Sequence, residues 1–359
     1  MTTTKLGRLR FYDEGLNAGT LLQVAPNQLI TPVSAFFRRN HAPAPAVDLA
    51  TWRLKLNGFV SKPLSLTYDE LVNGFTQHEV TATLVCAGLR RAEFLPLGSL
   101  RGELPWQADA VSTGVWRGVR LREVLAAVGV DDAAAHVEFI GLDQVTRKGV
   151  TFGYGASIAL EKALSDEVLL ATHLNGEPLP RAYGFPLRAV VPGWIGARSV
   201  KWLSDINLRA APSDNYFQTE AYRIARSENP SDPRDVRSGE AMTEVPLNAV
   251  IVEPTVKTPL TAGPVQVRGW AIGTGGRPVT KVEVAVEGVQ AWIQATITAT
   301  AGRFGWSFWE ATITLEAGSH VLIARAADDL GMMPERLEDT WNIKTYGNNA
   351  WHRVPVTVW

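Results

Sequence analysis

A change of pattern near residues 227–235 constrains this 359-residue chain more than any other feature. Before it, strand-like and helix-like runs alternate irregularly. After it, the pattern is almost wholly β. The stretch Ser227-Glu228-Asn229-Pro230-Ser231-Asp232-Pro233 is polar and proline-bearing and offers little to a core. A linker is expected there, running on to about Glu244. A chain of this length exceeds one ordinary core and divides into about two domains. The expected domains are 1–243 and 244–359.

In the first domain, residues 1–45 are loop-rich and close on Asn40-His41-Ala42-Pro43-Ala44-Pro45, too proline-dense for a helix. Trp52-Arg53-Leu54-Lys55-Leu56 alternates like a strand, and Thr67-Tyr68-Asp69-Glu70 reads as a capping box opening a short helix. Residues 79–85 form a β-leaning run that delivers Cys86 to a glycine turn. Leu121, Val124, Leu125 and Val128 share one helical face, ended by Gly129. Residues 137–140 read as a short strand, 158–164 as a helix, and 188–192 as a buried strand stopped by Pro192. No regular βαβ repeat emerges, so the first part is expected to be α+β, not doubly wound. In the second part, Val265-Gln266-Val267 and Val282-Glu283-Val284 alternate on either side of the turn Gly273-Thr274-Gly275-Gly276. Residues 311–315 and 320–327 add strands, which together indicate an immunoglobulin-like sandwich.

The net charge of −1 gives no pull toward nucleic acid or membrane. No apolar run approaches the roughly 20 residues of a membrane helix. Residues 1–8 lack the apolar stretch of a signal peptide, so the chain is expected in the cytoplasm, or in the periplasm if a leader was removed. The single cysteine, Cys86, forbids an intramolecular disulfide. Its setting, Cys86-Ala87-Gly88-Leu89-Arg90-Arg91, sets two arginines beside the thiol and is expected to favour the thiolate. The competing reading is a small buried hydrophobe. Six scattered histidines with no HxxxH or HExxH spacing do not make a zinc site. A metal on Cys86 must therefore arrive with its own ligands, held by an organic cofactor. Gly273–Gly276 lacks the strand–turn–helix context of a phosphate loop, and Gly155-Ala156-Ser157-Ile158-Ala159 fails the nucleophile elbow at its last position. Arg38, Arg39, Arg90, Arg91, Arg188, Arg198 and Lys201 sit beside glycine, proline or aromatic residues, which suggests a pocket for more than one anionic group.

Taken together, these stretches resemble the sulfite oxidase family of molybdenum enzymes. Phe36-Phe37-Arg38-Arg39-Asn40-His41-Ala42-Pro43 is similar to its entry segment, and Cys86-Ala87-Gly88-Leu89-Arg90-Arg91 to its metal-ligand loop. Tyr154-Gly155-Ala156-Ser157-Ile158, the run Gly184-Phe185-Pro186-Leu187-Arg188, and Pro192-Gly193-Trp194-Ile195-Gly196-Ala197-Arg198-Ser199-Val200-Lys201-Trp202 follow the same pattern. The resemblance covers roughly residues 28–359. It implies a mixed-sheet molybdopterin domain followed by an all-β immunoglobulin-like dimerisation domain, hence a homodimer. It implies Cys86 as the protein ligand of molybdenum. Asn40, His41, Asp143, Ser157, Tyr183, Arg188, Ser199 and Lys201 would then hold the pterin. Arg39, Arg91, Trp106 and Tyr222 would form the substrate pocket.

The activity so implied is oxidation of sulfite to sulfate by oxygen-atom transfer. With neither a haem-binding domain nor a Cys-x-x-Cys-His site, no haem is expected, and electrons would pass to an external acceptor such as a cytochrome c. Two departures stand out: Leu89 where relatives have asparagine, and Tyr183 where they commonly have histidine. A further substrate-side arginine from the second domain has no clear counterpart, with Arg268 and Arg303 as candidates. Two alternatives are a reductase of nitrate or of S- or N-oxides on the same cofactor, and an anion-binding protein without metal.

Overall fold

The structure, a computed structural model, describes residues 9–22, 28–225 and 233–359. Residues 1–8, which bear on the leader, and most of the expected linker at 227–235 lie outside that range.

Two five-stranded sheets build the first part. In one, Gln77–Val85 pairs antiparallel with Val111–Arg120, which pairs with Leu169–Leu174. Glu177–Pro178 and Arg188–Val190 both join that third strand. In the other, Leu203–Arg209 runs parallel to Leu54–Gly58 but antiparallel to His136–Arg147, which makes the sheet mixed. Leu64–Leu66 and Val150–Ala159 close its edges. Local signals placed the helices well. Thr67 caps Tyr68–Gly74 with both bonds of a capping box present. Leu121–Val128 buries its four periodic residues and stops at Gly129, whose φ is +68°.

Two expectations need correction. The helix expected over 158–164 shrinks to Leu160–Ala163, because Ile158 pairs with Val137 at the end of Val150–Ala159. A short apolar run carries no period of its own, so sheet pairing decided it. The segment expected to continue the linker to Glu244 is also packed, not loose. Glu240–Ala241 pairs with Arg223–Ile224, and Met242 and Val245 are buried.

The second part stacks two antiparallel sheets. One orders Asn248–Glu253, Gly263–Ile272, Ser307–Leu315 and Thr296–Thr300. The other centres on Gly318–Asp328, flanked by Lys281–Val286 and His352–Val358. Inward residues such as Val267, Val284, Trp309 and Ala324 form the sandwich core. Trp270, Phe304, Trp306 and Phe308 instead join the core of the first part. Gly193 marks that closeness, since a Cβ there would lie 2.4 Å from the Gly275 carbonyl oxygen.

A polar network also crosses the division. Arg90, fully buried, spreads its guanidinium over Glu93, the Asn248 side chain and the carbonyls of Ala350 and Trp351. His352 closes the network, with Nδ1 accepting from the Ile251 N–H at 3.1 Å and Nε2 lying 3.9 Å from Glu93. Burial and the Arg90 charge push His352 down to about 4, against the pull of Glu93. Its folded value therefore lies below its unfolded one. The folded state binds fewer protons between the two, and stability falls as pH drops from about 6.5 toward 4, by about 3 kcal/mol. In urea unfolding at stepped pH, His352→Gln should remove most of that slope, since its amide oxygen can still accept from Ile251. An unchanged slope would assign the acid sensitivity to other groups.

Candidate functional site

Cys86 sits where the strand Gln77–Val85 ends, its N–H donating to the Ala110 carbonyl at 2.9 Å. The chain then turns tightly, with Leu89 N–H donating to the Cys86 carbonyl and Arg91 N–H to the Gly88 carbonyl. A Cβ at Gly88 would lie 2.6 Å from the Arg91 guanidinium carbon, so a larger residue there would require that side chain to shift. Burial works against the expected thiolate. Burial pushes the Cys86 thiol up, outweighing the Arg91 charge and a Gly88 N–H lying 3.4 Å from Sγ. The two arginines divide their tasks, because Arg90 turns away into the network described above.

The segment 36–41 forms the facing wall and is pinned at successive residues. Tyr183 donates its hydroxyl to the Phe36 carbonyl at 2.7 Å, and Ser112 Oγ accepts from the Phe37 N–H. Arg38 bridges to Ala18, while the Asn40 N–H donates to Asn17 Oδ1 at 2.8 Å. Lys201 donates to the Arg39 carbonyl at 2.9 Å and bonds the Asn40 side chain. Tyr183 thus serves the wall through one hydroxyl bond, and burial raises its phenol to about 12. Arg188, buried over the Trp116 ring, donates to the Tyr183 and Ser199 carbonyls at 3.0 Å each. Burial lowers it to about 9, and burial followed by the Arg188 charge holds Lys201 well below the usual lysine range.

Between these walls lies a cavity. Arg39, Asn40, His41, Cys86, Asp143, Tyr183, Arg188, Ser199, Lys201 and Tyr222 all line it. Its ionisable lining includes Arg38, Arg39, Arg188 and Lys201 against Asp143, four basic side chains to one carboxyl. Such an excess, desolvated, calls for an anionic guest. Asp143 Oδ1 is buried with no hydrogen-bond partner, and burial raises its carboxyl to about 6 despite Lys201. An N–H donor from a guest would satisfy it. Among the described residues no three His, Cys, Asp or Glu side chains gather to hold a metal. A metal on Cys86 would therefore need ligands from outside the protein, as a dithiolene-bearing pterin provides. The lining fits that group.

At one end His41 organises a hydrogen-bonded chain. Its Nδ1 lies 3.2 Å from both Arg39 Nη2 and Arg147 Nη2, and its Nε2 lies 2.7 Å from the Tyr222 phenol oxygen. Burial and then the charges of Arg39 and Arg147 hold His41 well below its ordinary value, so it is neutral. Facing donors, Nδ1 must accept, which leaves the proton on Nε2 to be donated to Tyr222. Tyr154 stacks on Phe217 at 4.2 Å and donates to the Ala197 carbonyl at 2.9 Å. Tyr346 stacks on Tyr222.

Three expected site residues and two expected pocket arginines, Arg90 and Arg198, fall outside the cavity. Ser157 faces the other side of its strand from Tyr154, three residues away, and its Oγ accepts from the Ser213 N–H. Trp106 is buried against Tyr12, with Nε1 unpartnered. Arg91 lies beneath Gly88, donating to the Thr345 and Leu104 carbonyls, 3.6 Å from Glu103. Arg198 is buried on the Met242 and Phe217 carbonyls. Neither second-domain candidate reaches the cavity: Arg268 lies between Glu253 and Glu310, and Arg303 covers Phe304. Leu89 instead lines a small apolar pocket behind the Cys86 loop, with Ile195 and Met242. Sequence reasoning missed Arg147 and Tyr346. Arg147 stands in a solvated-looking hairpin, and Tyr346 comes from a distant loop.

Residues 41–217 match the family model for the oxidoreductase molybdopterin binding domain, and residues 239–359 match that for the Mo-co oxidoreductase dimerisation domain. The sulfite oxidase of Gallus gallus is 37% identical over 348 residues, covering 94% of this chain and 75% of that protein. The chain belongs to the sulfite oxidase family. Its match spans 64% of the length of the mitochondrial sulfite oxidases of Macaca fascicularis and Homo sapiens. Nitrate reductase [NADH] 1 of Oryza sativa subsp. japonica is 34% identical, covering 94% of this chain but 39% of that protein. The crystal structure of the sulfane dehydrogenase SoxCD from Paracoccus pantotrophus superposes with a TM-score of 0.79 at 26% identity, over 96% of this chain and 87% of that one. This sulfite oxidase family member is thus a molybdopterin oxidoreductase carrying the family's dimerisation domain.

Proposed function

We propose that the protein oxidises sulfite to sulfate at a molybdenum held by Cys86 and a pterin dithiolene, and passes electrons to a separate acceptor such as a cytochrome c. The observation that carries this reading is one cysteine sulfur opening on a cavity lined by four basic side chains and a single carboxyl. Catalysis belongs to 1–243 in this proposal, and the contact between two copies to 244–359. Asn40, Arg188, Ser199 and Lys201 would hold the pterin and its phosphate, with Asp143 accepting from a pterin N–H. The bound cofactor supplies oxygen-atom transfer and takes up two electrons.

The chain's own part follows from its hydrogen bonds. Arg39 draws the substrate oxyanion and offsets its charge. Neutral His41 donates to the Tyr222 oxygen, so that the phenol proton of Tyr222, whose other neighbour is the Tyr154 hydroxyl, can be donated to an oxyanion oxygen. Burial raises that phenol to about 12, which keeps it protonated at neutral pH. Arg91 acts by charge from beneath the Cys86 loop, and Trp106 and Ser157 act through packing and backbone support.

A second reading, reduction of nitrate or an S- or N-oxide, is favoured by the nitrate reductase relatives. One experiment separates the two: molybdenum per chain, sulfite turnover with an artificial electron acceptor, and nitrate turnover with a reduced dye, all on one preparation. Molybdenum near one per chain with sulfite turnover is expected. Nitrate reduction without sulfite oxidation would favour the second reading, and protein free of molybdenum from a cofactor-competent host would sink both.

A further inference from the structure

The strands His136–Arg147 and Val150–Ala159 meet in a two-residue turn, Lys148 and Gly149, with φ of +51° and +77°. That left-handed pair suits a tight hairpin. Arg147 is the last residue before the turn, paired with Val150. Its Nη1 donates to the Thr146 carbonyl at 2.8 Å, and its Nη2 reaches His41 Nδ1 at 3.2 Å. Arg39 Nη2 reaches the same nitrogen at 3.2 Å. Two guanidinium groups from distant segments therefore share one lone pair, which can serve only one donor well. The other partners of Arg39 are the Asn17 side-chain oxygen and the Asn40 carbonyl, so both arginines meet only neutral acceptors among the described residues. The hairpin is also held in place. Lys148 bonds Glu220 at 2.5 Å, and Glu220 follows the short helix Tyr216–Thr219, two residues before Tyr222.

We propose that Arg147 is a specificity-determining residue, the second arm of an oxyanion clamp whose first arm is Arg39. The two forks converge on His41 Nδ1, across the ring from the nitrogen that bonds Tyr222, and suit an anion whose oxygens diverge from one centre, as in sulfite or sulfate. The proposal rests on the sulfite reading for the identity of that anion. It also supplies the role left open by Arg268 and Arg303, both engaged elsewhere. An oxyanion at this place could come from the substrate or from the phosphate of the pterin.

The test uses holoenzyme carrying Arg147→Gln or Arg147→Lys. Molybdenum and pterin per chain are measured first. Sulfate binding to the oxidised resting enzyme is then followed by calorimetry, and sulfite KM and kcat by turnover. For Arg147→Gln, cofactor content should match wild type. The sulfate Kd and the sulfite KM should rise about 10- to 100-fold, with kcat falling far less. Arg147→Lys, which keeps the charge but not the fork, should fall between. Unchanged Kd and KM would overturn the clamp. Loss of molybdenum or pterin, with unchanged sulfate affinity in the loaded fraction, would overturn it in favour of a phosphate-holding role. If wild type fails to oxidise sulfite, the sulfite reading fails, while the sulfate calorimetry still decides whether Arg147 binds an oxyanion.

Discussion

Cys86→Ser lowers molybdenum-dependent turnover by more than about a hundredfold and leaves the chain folded. Replacing groups that merely orient a metal's ligands already costs 10- to 100-fold in affinity or activity, and under the proposed function this substitution would remove the protein's own ligand to the metal. Serine is a harder donor whose hydroxyl resists deprotonation, so it cannot replace a soft thiolate. The fold should tolerate it. Among the described residues Sγ accepts a hydrogen bond from the Gly88 N–H, at 3.4 Å, and the hydroxyl is the smaller group. A stability change within about 1.5 kcal/mol is expected for so small a change of volume. Molybdenum content, sulfite turnover and thermal midpoint on the same preparations check it. Turnover within tenfold of wild type would return Cys86 to the role of a small buried residue.

Arg90→Ala destabilises the protein by about 3–5 kcal/mol, the cost of stripping one partner from a buried charged network. The guanidinium makes bonds of 2.7 and 2.8 Å to Glu93, 2.9 Å to Asn248 and 2.8 Å to the Ala350 carbonyl. Alanine leaves all of these acceptors without that donor, and leaves a space where a fully buried side chain stood. Because the partners lie at 248 and 350–351, the loss falls on the contact between the Cys86 loop and the sandwich. Lysine should recover little of it, since one ammonium cannot reproduce the planar fork. Urea unfolding measures the change, and a loss below about 1 kcal/mol would mean that water or neighbouring groups replace the arginine.

Much of the fold was legible where the signal was local. The Thr67 capping box and the Leu121–Val128 face are set by dihedral preferences and a 3.6-residue period, and both appear in the structure. The run 158–164 was misread because short apolar segments carry no period, and pairing with 136–140 drew Ile158 into a strand. The same limit applied at the site. From the motif Tyr154–Ile158 the sequence pointed to Ser157, yet strand alternation turns Tyr154 toward the cavity and Ser157 toward Ser213. The expected thiolate failed for a different reason. Adjacent arginines in sequence do not measure burial, and desolvation of the thiol exceeds the help it receives from Arg91.

The sequence by itself determined that the chain has a single thiol, too few clustered histidines to hold a metal alone, and more arginines near glycine and aromatic residues than a solvated surface needs. Those are properties of composition and short spacing, and they survive any fold. Only the tertiary structure decided that Arg90 latches the sandwich while Arg91 passes beneath Gly88, and that Arg147 meets Arg39 at His41. Arg90 and Arg91 are neighbours in the chain and chemically identical. A left-handed residue at Arg90, φ +60°, sends them in different directions, and their partners come from segments brought near by non-local packing.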